Sequence, residues 1–273
     1  GHGKFGQIIS CQDLNTDRHI VLKKMSKSFV KSISTLKRVA TEIKLLRNAS
    51  NAVEMANLLP IEEVFQTDSH FYYTMARYGQ DVFEFMKLGD HSTLGAGFEN
   101  SVVIFAHVCE ALSFMHGHGY AHRDIKSENV LVEYDPMPDG LFLITGVKVI
   151  DLGLACAVND EMTRRESCGS RGFMAPEGIV RMVEQPTLLD SWSLACLGLE
   201  IILGRIWFTE VWFEFFKAVQ QMEEEDADLD VDFGPLQQNI DHGLNKSAEA
   251  GAEPRLQLAL QKMLMIDPTR PIE

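Results

Sequence analysis

Short apolar runs separated by turn residues dominate the first quarter of the chain. Two isoleucines precede a polar stretch at 12–18, and HIVLKKM follows at 19–25. LLPIEEVF at 58–65 and HFYYTMA at 70–76 are rich in β-branched and aromatic residues, with an Asp-Ser turn between them. Runs of this kind bounded by turn residues are typical of strands. The pattern therefore predicts a small β-sheet.

One segment within this region has helical periodicity instead. Across residues 33–47, apolar side chains recur three or four positions apart, as they do on one face of an α-helix. These residues are Leu36, Val39, Ala40, Ile43 and Leu46. The first 76 residues are thus predicted to form a sheet with one helix.

Longer helical segments predominate in the rest of the chain. A short helix is predicted around 82–88, and a long one at 99–116 ends at two glycines. The segment 190–204 is apolar nearly all round, which indicates a buried helix. The apolar face predicted for the long helix consists of Val102, Phe105, Val108, Leu112 and Met115. Short strands are predicted at 130–132, 141–144 and 147–150, with a surface loop containing Pro136, Pro138 and Gly140.

Composition narrows the classes of function. The chain has 273 residues, 45% of them hydrophobic, which is enough for a large core. Its net charge of −14 argues against a general nucleic-acid binder, which needs a basic face. Five cysteines without CxxC spacing indicate free thiols, as in an intracellular protein of the cytoplasm or nucleus. No run approaches 18 apolar residues, so no membrane span is expected.

Positive charge is concentrated near the predicted N-terminal helix. Eight lysines and arginines lie between Lys23 and Arg47, against one acid, Glu42. One interpretation is a docking patch for an acidic or phosphorylated partner segment. The other is an ordinary solvated helix face.

The most informative motif is YAHRDIKSENVLV at residues 120–132. Asp124 is followed by Lys126 and then by Asn129, and an apolar run begins immediately afterwards. A loop that leads into a short buried strand would hold these three polar side chains on one edge. The spacing resembles the H-R-D-x-K-x-x-N catalytic loop of protein kinases.

Further motifs lie where the same family would place them. Asp151-Leu152-Gly153 follows a predicted strand and resembles the D-F-G motif, with Leu152 in place of phenylalanine. Ala175-Pro176-Glu177 resembles the A-P-E motif. IVLK at 20–23 is similar to the V-A-I-K strand, and DPTRP at 267–271 is similar to the family's closing motif.

The glycines at the start of the chain are ambiguous by themselves. GHGKFG has the G-x-G-x-x-G pattern, whose backbone N–H groups can approach phosphate oxygens closely. Any hairpin turn could have the same pattern, and a dinucleotide-binding fold would continue into a helix. Because strand, turn and strand follow here, the kinase glycine-rich loop is the better match. The chain begins inside this motif, so we expect it to be a fragment.

The resemblance to protein kinases covers essentially the whole chain and implies an α+β, bilobal fold. A small antiparallel β-sheet lobe with one helix would occupy residues 1–76. A hinge at 76–80 would connect it to a larger, mainly helical lobe at 81–273, with ATP bound in the cleft.

The resemblance also implies a role for each matching residue. Asp124 would orient the attacking hydroxyl and accept its proton, and Lys126 would neutralise the γ-phosphate during transfer. Asn129 and Asp151 would hold Mg²⁺, a hard cation that prefers oxygen ligands. The cofactors expected are therefore ATP and Mg²⁺.

Lys23 would bind the α- and β-phosphates, and Glu42, on the predicted helix, would hold Lys23 in place. The residues predicted to bind ATP are Gly1, Gly3, Gly6, Ile8, Lys23, Met75, Ala76 and Tyr78. Three residues would have structural roles: Asp190 would hold the backbone of the catalytic loop, Arg270 would pair with Glu177, and Arg123 would contact the activation segment.

The predicted activation segment contains Thr163, Ser167, Ser170 and Glu177. Ser170 is expected near the acceptor hydroxyl. A phosphate placed on Thr163 or Ser167 by an upstream activating kinase could bind Arg123 and order the segment. In the alternative, the segment is always ordered and Arg123 pairs with an acid such as Glu161 or Glu166.

These motifs predict transfer of the ATP γ-phosphoryl group to serine or threonine hydroxyls of a protein substrate. The sequence DIKSEN together with Ser170 resembles serine/threonine kinases rather than tyrosine kinases. A pseudokinase that serves as a binding module would lack Lys23, Asp124, Asn129 or Asp151, and all four are present. A small-molecule phosphotransferase of similar fold would lack the activation segment.

Overall fold

The computed structural model describes residues 2–3, 6–51, 57–88, 96–138, 141–164, 166–224 and 231–266, with the backbone alone at 2–3 and 48–51. The N-terminal residues form a five-stranded antiparallel sheet with strand order β1-β2-β3-β5-β4. Its strands are β1 His2–Gly3, β2 Gly6–Gln12, β3 His19–Ser26, β4 Ile61–Gln66 and β5 His70–Ala76. Strand β3 lies in the middle, between β2 and β5. This position places the predicted lysine, Lys23, in the centre of the sheet.

A single long helix, α1 Ile33–Asn51, packs against this sheet. Leu45 and Leu46 are buried, and Val39 and Ile43 pack against the core. Leu36, which the periodicity assigned to the apolar face, is 50% exposed. The buried face of α1 is therefore formed by its second half.

Helices build the larger part of the chain. They are α2 Val82–Phe85, α3 Phe98–Gly117, α4 Glu161–Arg164, α5 Pro176–Ile179, α6 Pro186–Trp207, α7 Phe213–Glu224, α8 Gly234–Glu249 and α9 Pro254–Met263. Helix α6 is buried on nearly all sides, as its composition predicts, and it contacts α3, α8 and α9. Its helical geometry is interrupted at Gly204, where φ is +82°. The core of the larger lobe is thus organised around α6.

Helix α3 is long and apolar enough to span a membrane by length and composition. Here its apolar side chains, among them Ile104, Val108 and Met115, belong to the protein core, and the helix packs against α6 and the strand Phe142–Val149. The predicted face was wrong at Val102, which is 37% exposed. The buried residues nearest to it on α3 are Ser101, Ile104 and Phe105.

Short strands of the larger lobe flank the loop at residues 122–129. They are β6 Gln80–Asp81, β7 Tyr120–Ala121, β8 Val130–Pro136, β9 Phe142–Val149 and β10 Cys156–Ala157. The two strands predicted at 141–144 and 147–150 are one continuous strand, β9. The register shifts between Glu133 and Tyr134 of β8: Gly146 pairs with Glu133 and Ile144 pairs with Tyr134. Thr145 is therefore an extra, unpaired residue, and the strand continues through it. Pro136 belongs to β8 rather than to the predicted loop.

Candidate active site

The loop between β7 and β8 is held by a buried carboxylate from α6. Asp190 is completely buried and accepts the backbone N–H groups of His122 at 2.8 Å and Arg123 at 2.6 Å. The imidazole of His116 lies 2.8 Å from the same carboxylate. Because α6 is fixed in the core, these bonds define where the residues after Arg123 must lie.

Asp124, Lys126 and Asn129 converge at the end of this loop. Lys126 Nζ is 3.6 Å from Asp124 Oδ2 and donates to Ser170 Oγ at 2.7 Å. Ser170 Oγ in turn donates to Asp124 Oδ1 at 2.8 Å. Asn129 Nδ2 donates to the Asp124 carbonyl at 2.7 Å and to Oδ2 at 3.2 Å. The carboxylate therefore has a fixed orientation and is bordered by an ammonium and a hydroxyl.

A second charged cluster connects the sheet, α1 and the segment after β9. Lys23 Nζ is 2.7 Å from Glu42 Oε1 and 3.1 Å from Asp151 Oδ1. Tyr73 on β5 donates its hydroxyl to the same Glu42 oxygen at 2.5 Å. Lys23, Glu42 and Tyr73 are all buried. The Lys23 ammonium thus lies among Glu42, Tyr73 and Asp151, which are 19, 50 and 128 positions further along the chain.

The ionisation of this cluster follows from its partners. Burial alone would lower the pKa of Lys23, but Glu42, Tyr73 and Asp151 outweigh it and raise that pKa well above its usual value. Burial likewise opposes ionisation of Asp151, yet the Lys23 ammonium keeps its pKa below the usual value. Burial and the Glu42 carboxylate raise the pKa of Tyr73. The cluster therefore presents one lysine cation and an ionised Asp151 at neutral pH.

Two residues of the site adopt an uncommon backbone conformation. Arg123 has φ +66° and Asp151 has φ +62°, in the left-handed region that non-glycine residues seldom adopt. Such strain persists only where the surroundings impose it, and it is frequent at functional sites. Asp190 fixes the backbone of Arg123, and the Lys23 ion pair holds the side chain of Asp151.

A cavity of about 110 Å³ lies between the two clusters. Its lining includes Lys23, Asn129 and Asp151 together with apolar side chains from both lobes. The apolar lining residues are Ile8, Leu46, Leu59, Met75 and Ile150. A wider groove of about 450 Å³ lies between α8 and α9, far from these charged residues. The smaller cavity is therefore the candidate site, because it contains the charged and amide side chains that the larger groove is far from.

The predicted ATP-binding residues separate into three groups. Ile8, Lys23 and Met75 line the cavity, and Ala76 ends β5 next to Met75. Tyr78 points elsewhere: its hydroxyl lies against Gly146 and bonds Glu133, and burial together with Glu133 raises its pKa to about 12. Gly6 pairs with Gly3 at the β1–β2 turn, while Gly1 lies outside the described residues.

The oxygen donors in the cavity fit a divalent cation. Asp151 offers a carboxylate, and the amide nitrogen of Asn129 is engaged by Asp124, which leaves its oxygen as the possible ligand atom. Within the described residues, three or more His, Cys, Asp or Glu side chains nowhere form a metal-binding group. One carboxylate and one amide form an incomplete set that suits Mg²⁺, which is usually bound by few protein ligands plus phosphate oxygens.

The segment from Asp151 to Glu177 packs against Arg123. The Arg123 guanidinium is buried and donates to the carbonyl oxygens of Leu154, at 2.8 Å, and Thr163. It reaches the Glu166 carbonyl at 3.5 Å. The carboxylates of Glu161 and Glu166 instead pair with Arg164 and Arg38. The alternative in which Arg123 pairs with one of these acids is therefore wrong. Backbone carbonyls accept from its Nε and Nη1, and its Nη2 is buried without a hydrogen-bond partner among the described residues.

The other predicted residues of this segment occupy different environments. Thr163 is buried, and Ser167 donates to the Gly178 carbonyl at 3.2 Å. Glu177 is buried, and burial raises its pKa. Its predicted partner, Arg270, lies outside the described residues, so that pair stays a prediction.

A sequence model of the protein kinase domain matches residues 1–270 of the chain. The chain belongs to the protein kinase family. This kinase also resembles a solved kinase-domain crystal structure, with a TM-score of 0.69 and 19% identity over 99% of this chain and 89% of that one. The bilobal α+β fold implied by the motifs is confirmed.

Curated relatives of this kinase include mitogen-activated protein kinase 12 of Rattus norvegicus, 28% identical over 76% of this chain and 53% of that protein. A putative CBL-interacting protein kinase 27 of Oryza sativa subsp. japonica is 25% identical over 77% of this chain and 49% of that protein. The human serine/threonine-protein kinase MAK is 25% identical over 81% of this chain and 33% of that protein. The chain thus matches about half or less of the length of these relatives.

Two features of the kinase site had no sequence motif. Tyr73 was read only as a strand residue, although its hydroxyl is a direct partner of Glu42. The basic residues near α1 were predicted to form either a docking patch or a solvated helix face, yet four of the eight form ion pairs or hydrogen bonds within the chain, and Lys27 lies over the Phe71 ring. Lys23, Lys37, Arg38 and Lys44 bind Glu42, Asp160, Glu166 and the Tyr120 hydroxyl respectively.

Proposed function

We propose that this kinase transfers the γ-phosphoryl group of ATP to serine or threonine hydroxyls of protein substrates. The observation that carries this proposal is the fixed Asp124 carboxylate, bordered by Lys126 and Ser170 and adjacent to the cavity that contains Lys23 and Asp151. Residues 1–76 would serve as the small lobe, 76–80 as the hinge and 81–273 as the large lobe.

In the acceptor half of the site, Asp124 binds the substrate hydroxyl and takes its proton. The hydroxyl oxygen forms a bond to the γ-phosphorus as the bond to the bridging oxygen breaks, and ADP leaves with that electron pair. Lys126 lies close enough to Asp124 to contact the oxygens of the group being transferred. Positioning and charge stabilisation supply most of the catalysis in such reactions.

In the nucleotide half, Lys23 binds the α- and β-phosphates while Glu42 and Tyr73 hold its side chain. Asn129 and Asp151 would hold Mg²⁺, which when bound neutralises phosphate charge. Ile8, Leu59 and Met75 provide the apolar surface for adenine. Backbone groups at 76–80, Tyr78 included, would supply the hydrogen bonds to the base.

Mg²⁺-ATP is expected to raise the melting temperature of the protein by several degrees. A ligand at 100 times its Kd stabilises the folded state by about 2.7 kcal/mol. Asp151→Asn should remove most of the Mg²⁺-dependent part, because it deletes the one carboxylate in the donor set. Differential scanning fluorimetry with ATP in the presence of Mg²⁺ or EDTA measures both effects. Asp135→Asn, on the exposed end of β8, is the matched control.

If folded wild-type protein showed no stabilisation by Mg²⁺-ATP, the nucleotide site would be assigned wrongly. Stabilisation without turnover on any acceptor would instead favour the pseudokinase, a binding module with the same fold.

Serine and threonine peptides should be phosphorylated well ahead of tyrosine peptides. Ser170 Oγ bonds both the Asp124 carboxylate, at 2.8 Å, and Lys126 Nζ, at 2.7 Å, which supports a shallow acceptor site. A short side chain can bring its hydroxyl to Asp124 there, whereas a tyrosine ring needs more depth. An oriented peptide library followed by phosphoamino-acid analysis measures the preference. Mainly phosphotyrosine in the products would overturn it.

A further inference from the structure

The activation segment is attached to helix α1 by two acid–base contacts. Lys37 Nζ lies 2.9 and 3.0 Å from the two Asp160 oxygens. Arg38 donates to Glu166 Oε2, and Ser34 donates to Glu166 Oε1 at 2.6 Å. Both carboxylate oxygens of Glu166 are therefore bound by groups on the first turns of α1.

The Glu166 contact is partly shielded from water. The Arg38 side chain is 17% exposed and that of Glu166 is 29% exposed. The backbone of Glu166 also lies against the buried Arg123 guanidinium, beside Asp124. Glu166 thus contacts both α1, which carries Glu42, and Arg123, which precedes Asp124.

The geometry of α1 couples this contact to the nucleotide site. Arg38 and Glu42 are four residues apart, so they lie on the same face of the helix. Glu42 uses that face to hold Lys23. A contact that fixes Arg38 to the activation segment therefore also fixes the position of Glu42 on the same helix.

The hydroxyl groups near Glu166 are already engaged inside the structure. Thr163 is 2% exposed and its side chain bonds Asp160. Ser167 donates to a backbone carbonyl at 3.2 Å. The Glu166 carboxylate already supplies a negative charge that binds α1, so this contact requires no phosphate on Thr163 or Ser167.

We infer that Glu166 is a positioning residue that holds α1, and through it Glu42 and Lys23, in the catalytic arrangement. Its carboxylate takes the place of the phosphate that the sequence motifs led us to expect on Thr163 or Ser167. This inference rests on the proposed function, and it implies activity without phosphorylation of the activation segment.

The test compares Glu166→Gln, Arg38→Gln and the double variant with wild type, all treated with phosphatase. Each single variant should lower kcat by roughly 5- to 150-fold, the usual range of coupling between sites. The double variant should lose little more, because both substitutions break the same contact. Glu166→Asp, which keeps the charge, should recover part of the activity. Glu161→Gln removes an exposed acid of the same segment and should stay within about twofold of wild type.

Hydrogen exchange of α1 and of residues 155–170 provides a readout that does not depend on turnover. Exchange at both should be faster in Glu166→Gln than in Glu161→Gln. If Glu166→Gln failed to fold, Arg38→Gln would test the same contact from the helix side.

Wild-type kcat in Glu166→Gln or Arg38→Gln would overturn the inference, as would loss of wild-type activity on phosphatase treatment. If wild type phosphorylated no acceptor at all, the proposed function would fail instead. Hydrogen exchange would then still test whether Glu166 holds α1 in position. Equal exchange in Glu166→Gln and wild type would show that it does not.

Discussion

Asp124→Asn is expected to lower kcat by roughly 10²- to 10⁴-fold, the usual contribution of a positioned general base. The amide has nearly the same shape, so it should keep the contact with Ser170, but it cannot accept the proton of the attacking hydroxyl. Steady-state kinetics with a preferred peptide measure the loss. The KM for ATP should change little, because Asp124 is not among the residues that line the nucleotide cavity.

Asp241→Asn, on α8, is the matched control for loss of one acidic charge far from the loop. A melting temperature close to that of wild type would show that Asp124→Asn leaves the fold intact. Retention of most of the wild-type turnover would mean that another group accepts the proton.

Lys23→Met is expected to lower kcat/KM by two or more orders of magnitude, as loss of a preorganised charge contact typically does. Methionine retains the apolar stem, but the ammonium that Glu42 and Asp151 hold is lost. Breaking a buried ion pair also costs stability, roughly 3–5 kcal/mol when one charge remains. The melting temperature should therefore fall together with the activity.

A double variant separates these two effects. Lys23→Met with Glu42→Gln removes the two buried charges and leaves only the partly exposed Asp151. This variant should recover much of the melting temperature without recovering activity. Lys24→Met, on the opposite face of β3, should behave like wild type in both assays. Recovery of activity in the double variant would show that Lys23 acts only through stability.

The sequence was most informative where function depends on short spacings along one loop. Asp124, Lys126 and Asn129 lie within six residues, so their identities and spacing predict a shared site. The pairing of Lys23 with Glu42 was implied by the resemblance to protein kinases, which place a glutamate on the helix that follows the lysine strand.

Contacts between segments that are distant in sequence leave no local pattern from which they could be predicted. Tyr73 reaches Glu42 only because β5 pairs with β3 in a register that no local pattern specifies. Arg38 and Glu166 are 128 positions apart, and each is an ordinary charged residue in its own segment. The continuity of β9 was missed because glycine normally marks a turn, whereas a Cβ at Gly146 would meet the Tyr78 hydroxyl at 2.1 Å.

Asp190 anchors the loop that carries Asp124, and this anchoring distinguishes the acceptor half of the site from the nucleotide half. The bonds from Asp190 to His122 and Arg123 connect the loop to α6, so the larger lobe sets the positions of Asp124 and Lys126. The segment that carries Ser170 also contacts α1 of the small lobe. The nucleotide half spans both lobes through Lys23 and Asp151. Under the proposed function, we expect an opening of the cleft that releases ADP to separate Lys23 from Asp151, while Asp124 and Lys126 keep their places on the larger lobe. The groups proposed to orient the acceptor hydroxyl would then persist from one cycle to the next, and only the nucleotide half would have to be rebuilt.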